Sequence, residues 1–158
     1  MATTAISSNP PATASFALFG APVAHEDHPQ RALYAALRMQ EDIRRLAEQL
    51  RGEGKPPLQV RVGANTGEAV VRSIRTGEVH AEYTPIGHST NLAARMQVLA
   101  PIGSIAITGD MQKLVEGYFQ TKALGPTRVK GVSEPVTCTK WPGWGPCERG
   151  FRSRHDGA

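Results

Sequence analysis

The order of periodic segments in this chain predicts an α/β (α+β) sandwich in which helices cover a mixed, largely antiparallel sheet. Three observations carry that prediction. An apolar rhythm of three- and four-residue steps runs from Leu33 to Leu50, as in a one-faced helix. Short apolar or alternating runs at 16–19, 58–62, 79–86 and 105–108 read as strands. Helical and strand segments then alternate without an internal repeat, and 158 residues at 40% hydrophobic content suffice for one ordinary domain but not two.

Residues 1–15 are mostly Ala, Thr, Ser and Pro. Such a segment has little apolar surface to set against its ordering entropy, so it reads as a flexible leader. Phe16-Ala-Leu-Phe, stopped by Gly20 and Pro22, suits a buried strand entering a turn. Asp27 is a good N-cap and Pro29 is tolerated in a first turn, so a helix starts there. It carries Leu33, Ala36, Leu37, Gln40, Ile43, Leu46, Ala47 and Leu50 to an end near Gly52. Leu58-Gln-Val-Arg-Val alternates, and Gly63 to Gly67 separate it from Ala69-Val-Val, which predicts two strands joined by a glycine-bearing turn. Gly77 marks a second hairpin, returning through Val79 to Ile86.

Ser89 or Thr90 then caps a helix with Leu92, Ala93, Met96, Leu99 and Ala100, which Pro101 and Gly103 terminate. A strand at 105–108, a short helix at 110–115 and late strands at 118–124, 127–130 and 135–140 follow. The domain thus spans 16–141, with a basic tail over 142–158. Leu33, Leu37, Val60, Val62, Leu92 and Met96 are expected in the core.

No apolar run approaches the roughly 18 residues of a membrane span, and the start has no signal-peptide pattern, so the chain reads as cytoplasmic, without a membrane partner. The net charge of +4 is spread along the chain with some excess in the tail, at Lys140, Arg149, Arg152 and Arg154. It lacks the aromatic interleaving of a base-stacking surface, which argues against a nucleic-acid partner. Cys138 and Cys147 have neither CxxC spacing nor a partner His and read as ordinary thiols. His25-Glu-Asp-His gathers metal-ligand types, but four consecutive residues do not converge on one ion without a dedicated loop, so it reads as a helix start. Gly63 and Gly67 lack the Lys-Ser/Thr of a phosphate loop.

The segment with most chemical content is Tyr83-Thr-Pro-Ile-Gly-His-Ser-Thr-Asn-Leu-Ala-Ala-Arg-Met. At about 100° per residue, Asn91 and Arg95 lie about 40° apart on the second helix, so both reach one ligand. Taken alone, an Asn and an Arg one turn apart are a common surface pair. The whole stretch, however, resembles the class III nucleotide cyclase catalytic domain, of the bacterial adenylate-cyclase-like kind. The resemblance continues through Leu18-Phe-Gly-Ala-Pro, the His25 helix start, Arg61-Val-Gly-Ala-Asn-Thr-Gly-Glu, Gly103-Ser-Ile, Leu124-Gly-Pro and Val129-Lys-Gly, in the family's order.

The resemblance implies a cyclase-like sandwich with a ferredoxin-like core, incomplete at its N-terminus. It also implies conversion of ATP to cyclic AMP and pyrophosphate in intracellular signalling. Attack of the ribose 3′ oxygen on the α-phosphorus builds charge on phosphoryl oxygens, which a guanidinium fork at Arg95 meets with two hydrogen bonds, while Asn91 holds the ribose. The family's pattern places a purine-reading group at Thr84, otherwise a plain strand residue. It places a contact to the terminal phosphates at Lys130, otherwise a solvated turn lysine.

One family feature is missing. Relatives hold two Mg²⁺ or Mn²⁺ ions with two Asp residues on adjacent strands. Here the strand for the first Asp has no counterpart, and reading back from Leu18 places the second at Thr13, whose hydroxyl does not replace a carboxylate on a hard cation. Metal binding by this chain is therefore not expected, and neither is turnover by the chain alone. Family sites form between two chains, with metals from one and Asn and Arg from the other. The expected partners are ATP and a second cyclase domain, in a homodimer or a heterodimer with an intact relative. The alternatives are a non-catalytic dimerisation or regulatory partner and a remnant without function.

Overall fold

A computed structural model describes residues 1–9, 15–21, 23–76, 80–124 and 135–139. In chain order the elements are β1 (Ala2–Asn9), β2 (Ser15–Phe19), α1 (His28–Gly52), β3 (Gln59–Thr66), β4 (Val70–Thr76) and β5 (His80–Ile86). They continue with α2 (His88–Leu99), β6 (Ile105–Ile107), α3 (Gly109–Val115), β7 (Gln120–Ala123) and β8 (Val136–Thr139). Six strands form one sheet in the order β2-β1-β3-β6-β8-β7, in which only β3 and β6 pair in parallel. The mixed, largely antiparallel sheet agrees with the periodicity of the sequence.

Strand alternation sends Val60, Val62 and Ala64 of β3 to one face, where they are buried with Ala32, Leu33 and Ala36 of α1 and Met111 and Val115 of α3. Phe119 closes that layer against Tyr34, with ring centroids 4.9 Å apart. The opposite face receives α2, through Met96 and Ala100 on Ala106. Leu33, Val60, Val62 and Met96 are buried as expected, whereas Leu37 and Leu92 are only half-buried. Asp27 stands at the N-cap of α1 but makes no side-chain cap; its carboxylate instead accepts both 2.9 Å bonds from Arg31 Nε. Pro29 sits in the first turn.

Over residues 2–9 a strand stands where a flexible leader was expected over 1–15, of which residues 10–14 lie outside the described residues. Ala2 to Asn9 make β1, which lies between β2 and β3 and is antiparallel to both, with Ala2 opposite Phe19 and Thr66, and Asn9 opposite Gln59. Composition misled because it counts only the apolar surface that the segment itself carries. A strand inside a sheet gains hydrogen-bond ladders on both edges, and small side chains let helices close over it. Ala2 is fully buried and Thr4 nearly so.

Thr4 Oγ1 is buried without a hydrogen-bond partner. Thr4→Val, which keeps the shape and removes the hydroxyl, is expected to raise unfolding stability by about 1–2 kcal/mol, read as a higher urea midpoint. An unchanged midpoint would mean that residues 2–9 are solvated.

Two further expectations change. β3 and β4 are joined by a glycine-bearing connection but do not pair; β4 leaves the sheet and, among the described strands, pairs only with β5, from Val70 opposite Ile86 to Thr76 opposite His80. Ser89 and Thr90 do not cap α2, because the helix begins at His88 and both lie buried in its first turn, with Gly87 at the N-cap. The strand expected at 127–130 and the basic tail at 142–158 fall outside the described residues.

Candidate functional site

β5 delivers the chain to α2 through Gly87, whose φ of 136° and ψ of −175° suit glycine alone. From that bend Asn91 N donates to Gly87 O at 3.2 Å, which starts the helix. The buried line of α2 is Ser89, Ala93, Met96 and Ala100. Leu92 and Leu99 ride its shoulder half-buried, so the helix is rotated from the Leu92–Met96–Leu99 stripe expected from hydrophobicity. The cause is close approach: small residues let the helix axis sit nearer the sheet than leucines would.

That approach occurs over Gly63. A Cβ placed there would be inside van der Waals contact with Gln97 N and Ala93 O, and 2.7 Å from Gln97 Cα. With α2 pressed on β3 by this side, Asn91 and Arg95 come out together on its exposed side, one turn apart. Arg95 lines a shallow depression of about 300 Å³ with Ala94, Val98 and Leu99, of which Val98 is exposed. The structure therefore brings together the two residues that the sequence paired. Thr84 lies on β5, opposite Arg72 of β4, upstream of Gly87 on the strand that leads into α2. Lys130 lies outside the described residues, as does Thr13.

The His25–His28 group behaves as a helix start. His28 Nδ1 meets His25 O at 2.7 Å, its Nε2 lies 3.1 Å from Thr66 Oγ1, and Asp27 is taken by Arg31. His28 also borders an open cleft of about 670 Å³ with Met1, Glu68 and His88, which Asn91 and Arg95 do not line. Metal chemistry of the family kind needs carboxylates on adjacent strands. β1 and β2 are adjacent, but no Asp or Glu precedes Glu26 in the chain, and the hydroxyls and methyls of these strands are no donor set for a hard divalent cation. The residues present do not fit the metal pair. Among the described residues no three His, Cys, Asp or Glu side chains gather as ligands.

One residue of the site region was not singled out by sequence reasoning. Asn65 is buried on the α2 side of β3, donates from Nδ2 to Ser89 O and Oγ at 3.2 and 3.0 Å, and accepts from Thr108 Oγ1 at 2.7 Å. No sequence signal marks it, since Gln59, Arg61 and Thr66 of β3 are polar too; once buried, its amide is expensive unless it is fully bonded.

Comparison with known proteins places these elements in a family. The family model described as "Adenylate and Guanylate cyclase catalytic domain" matches residues 14–140. Adenylate cyclase 1 of Rhizobium meliloti (strain 1021) is 32% identical over 127 residues, which are 75% of this chain and 18% of that relative, so the chain spans less than a fifth of its length. Among solved structures, the adenylyl cyclase CyaB from P. aeruginosa is similar at 26% identity and a TM-score of 0.68, over 81% of this chain and 67% of that one. The guanylyl cyclase Cya2 is similar at 30% identity and a TM-score of 0.64, over 79% and 63%. The match takes in β2, both long helices and the Asn91–Arg95 turn within one fold, and the chain therefore belongs to the adenylate and guanylate cyclase catalytic domain family.

Proposed function

We propose that this chain supplies the Asn91–Arg95 half of a composite adenylate cyclase site, formed with a second cyclase domain, and does not cyclise ATP by itself. The observation that carries the reading is the outward placement of Asn91 and Arg95 on one exposed face of α2, remote from the buried sides of the sheet. A pair placed in this way acts on a ligand held by something else. The similarity to the adenylate cyclase of R. meliloti supports ATP as the nucleotide.

In this reading the ribose 3′ oxygen attacks the α-phosphorus, its proton leaves to a base outside this chain, and pyrophosphate departs. Arg95 donates to the phosphoryl oxygens as their charge grows, and Asn91 fixes the ribose so that the 3′ oxygen stays in line. Thr84 reads the purine edge and Lys130 meets the terminal phosphates. Metal binding belongs to the partner, because β1 and β2 offer no carboxylate.

The test has two steps. The purified chain with ATP and Mn²⁺ is expected to form no cyclic AMP above a protein-free blank. Mixed with an intact relative whose own Asn and Arg are replaced but whose metal carboxylates remain, it is expected to restore cyclic AMP formation as it is titrated in. Turnover by the chain alone, abolished by Asn91→Ala, would overturn the first step. Mixed dimers without product would overturn the second and leave a non-catalytic dimerisation partner.

A further inference from the structure

We infer that Asn65 is a positioning residue that sets the rotation of α2 on the sheet, and with it the place of Asn91 and Arg95. The inference rests on the composite-site reading above for its catalytic consequence, and on geometry for the rest.

α2 is held to β3 along one line of its surface. At Gly63 the backbone of Ala93 and Gln97 comes so near that a single methyl would collide with it. This contact sets the distance between helix and strand and keeps the small residues of α2 inward, but a steric seat leaves the helix free to turn by several degrees about its own axis. Direction comes from the first turn, where Asn65 Nδ2 donates to Ser89 O at 3.2 Å and to Ser89 Oγ at 3.0 Å. The orientation of the amide follows from its partners. Ser89 O only accepts, so it needs the NH₂ group. Thr108 Oγ1 accepts from Met111 N as the cap of α3, which turns its own proton toward Asn65 Oδ1.

Asn65 is 2% exposed and Ser89 4%, so these bonds have no water to replace them. One buried amide thus ties the first turn of α2 and the cap of α3 to the same strand. The lever is short. At a side-chain tip about 6 Å from the helix axis, a rotation of about 10° moves the group by about 1 Å. A shift of that size in a group meeting the transition state costs up to about 100-fold in rate.

Two variants separate positioning from stability. Asn65→Leu keeps the γ-branched shape, at a larger volume, and removes both branches. Thr108→Val removes the α3 branch and leaves the bonds to Ser89. The first readout is amide hydrogen exchange at Asn91, whose N–H is bonded to Gly87 O. It is expected to quicken by about 10-fold or more over the β3 amides in Asn65→Leu, and to stay near wild type in Thr108→Val.

The second readout is the cyclic AMP rate per mixed dimer at saturating chain. It is expected to fall about 10- to 100-fold in Asn65→Leu at an unchanged half-saturating concentration, and to change by less than about twofold in Thr108→Val. If Asn65→Leu does not fold, Ser89→Ala removes one acceptor and is expected to quicken exchange at Asn91 by about 2- to 10-fold. Wild-type exchange at Asn91 in the folded Asn65 variant, or in Ser89→Ala where that variant is used, would overturn the inference. So would an equal loss of rate in Thr108→Val. If the wild-type chain restores no activity, the composite site fails, and exchange at Asn91 still decides whether Asn65 orients the helix.

Discussion

Arg95→Ala is expected to remove most of the cyclic AMP formed when this chain is mixed with a relative that keeps its metal carboxylates but lacks its own Asn and Arg. Arg95 is exposed on α2, and in the proposed site its guanidinium would meet charge that appears on the phosphoryl oxygens only as the reaction proceeds. Fixed donors of that kind contribute about 2–4 kcal/mol to the transition state, or about 30- to 1,000-fold in rate. Because the proposed mixed dimer would have one competent site, the loss would not be masked by a second.

Association should survive the change, so the half-saturating concentration of the variant is expected to stay close to that of the wild type. Arg95→Lys makes a useful companion: it keeps the charge but loses the planar fork, and is expected to recover only part of the rate. Rescue by Arg95→Ala equal to that of the wild type, with mixed dimers demonstrated, would remove Arg95 from the site.

Gly63→Ala is expected to have the largest effect on stability of any single-methyl change in the described fold. The new Cβ meets backbone on the facing helix, at Ala93 and Gln97, and not the yielding end of a side chain. α2 must lift or turn, which opens the contact of Met96 and Ala100 with Ala106 and strains the bonds of Asn65 to Ser89. The expected cost is about 3 kcal/mol or more, a large share of the about 5–15 kcal/mol that holds a typical domain together.

Gly52→Ala is the contrast, since nothing lies within 4 Å of a Cβ there and the residue is helical. It is expected to be neutral or to stabilise by up to about 1 kcal/mol. Chemical denaturation of the two variants beside the wild type checks both, and equal midpoints would show that α2 is not seated on Gly63.

The local elements were largely legible in the sequence, because their causes are local. The apolar rhythm of α1 comes from its own side chains, and so does the short helix after Thr108, whose hydroxyl caps it. The pairing of Asn91 with Arg95 followed from helical spacing, and the want of a carboxylate before Glu26 followed from reading the residues. Each of these is a property of a stretch no longer than the element that expresses it.

Only the tertiary structure decided where those elements go. Residues 2–9 became an inner strand because β2 and β3 both offered open edges, and a poor composition is no obstacle to a strand that is bonded on both sides. β4 left the sheet for β5, although its sequence is no less strand-like than that of β3. α2 turned its small residues inward and left Leu92 and Leu99 on the shoulder, because approach over Gly63 was worth more than burying larger side chains at a greater distance. Asn65 was one of several polar residues on β3 until the fold brought Ser89 and Thr108 to it from far along the chain. The sequence determined which groups are present and how each segment coils; long-range contact determined which of them face each other, since a buried hydrogen bond or a steric seat exists only once both partners have arrived.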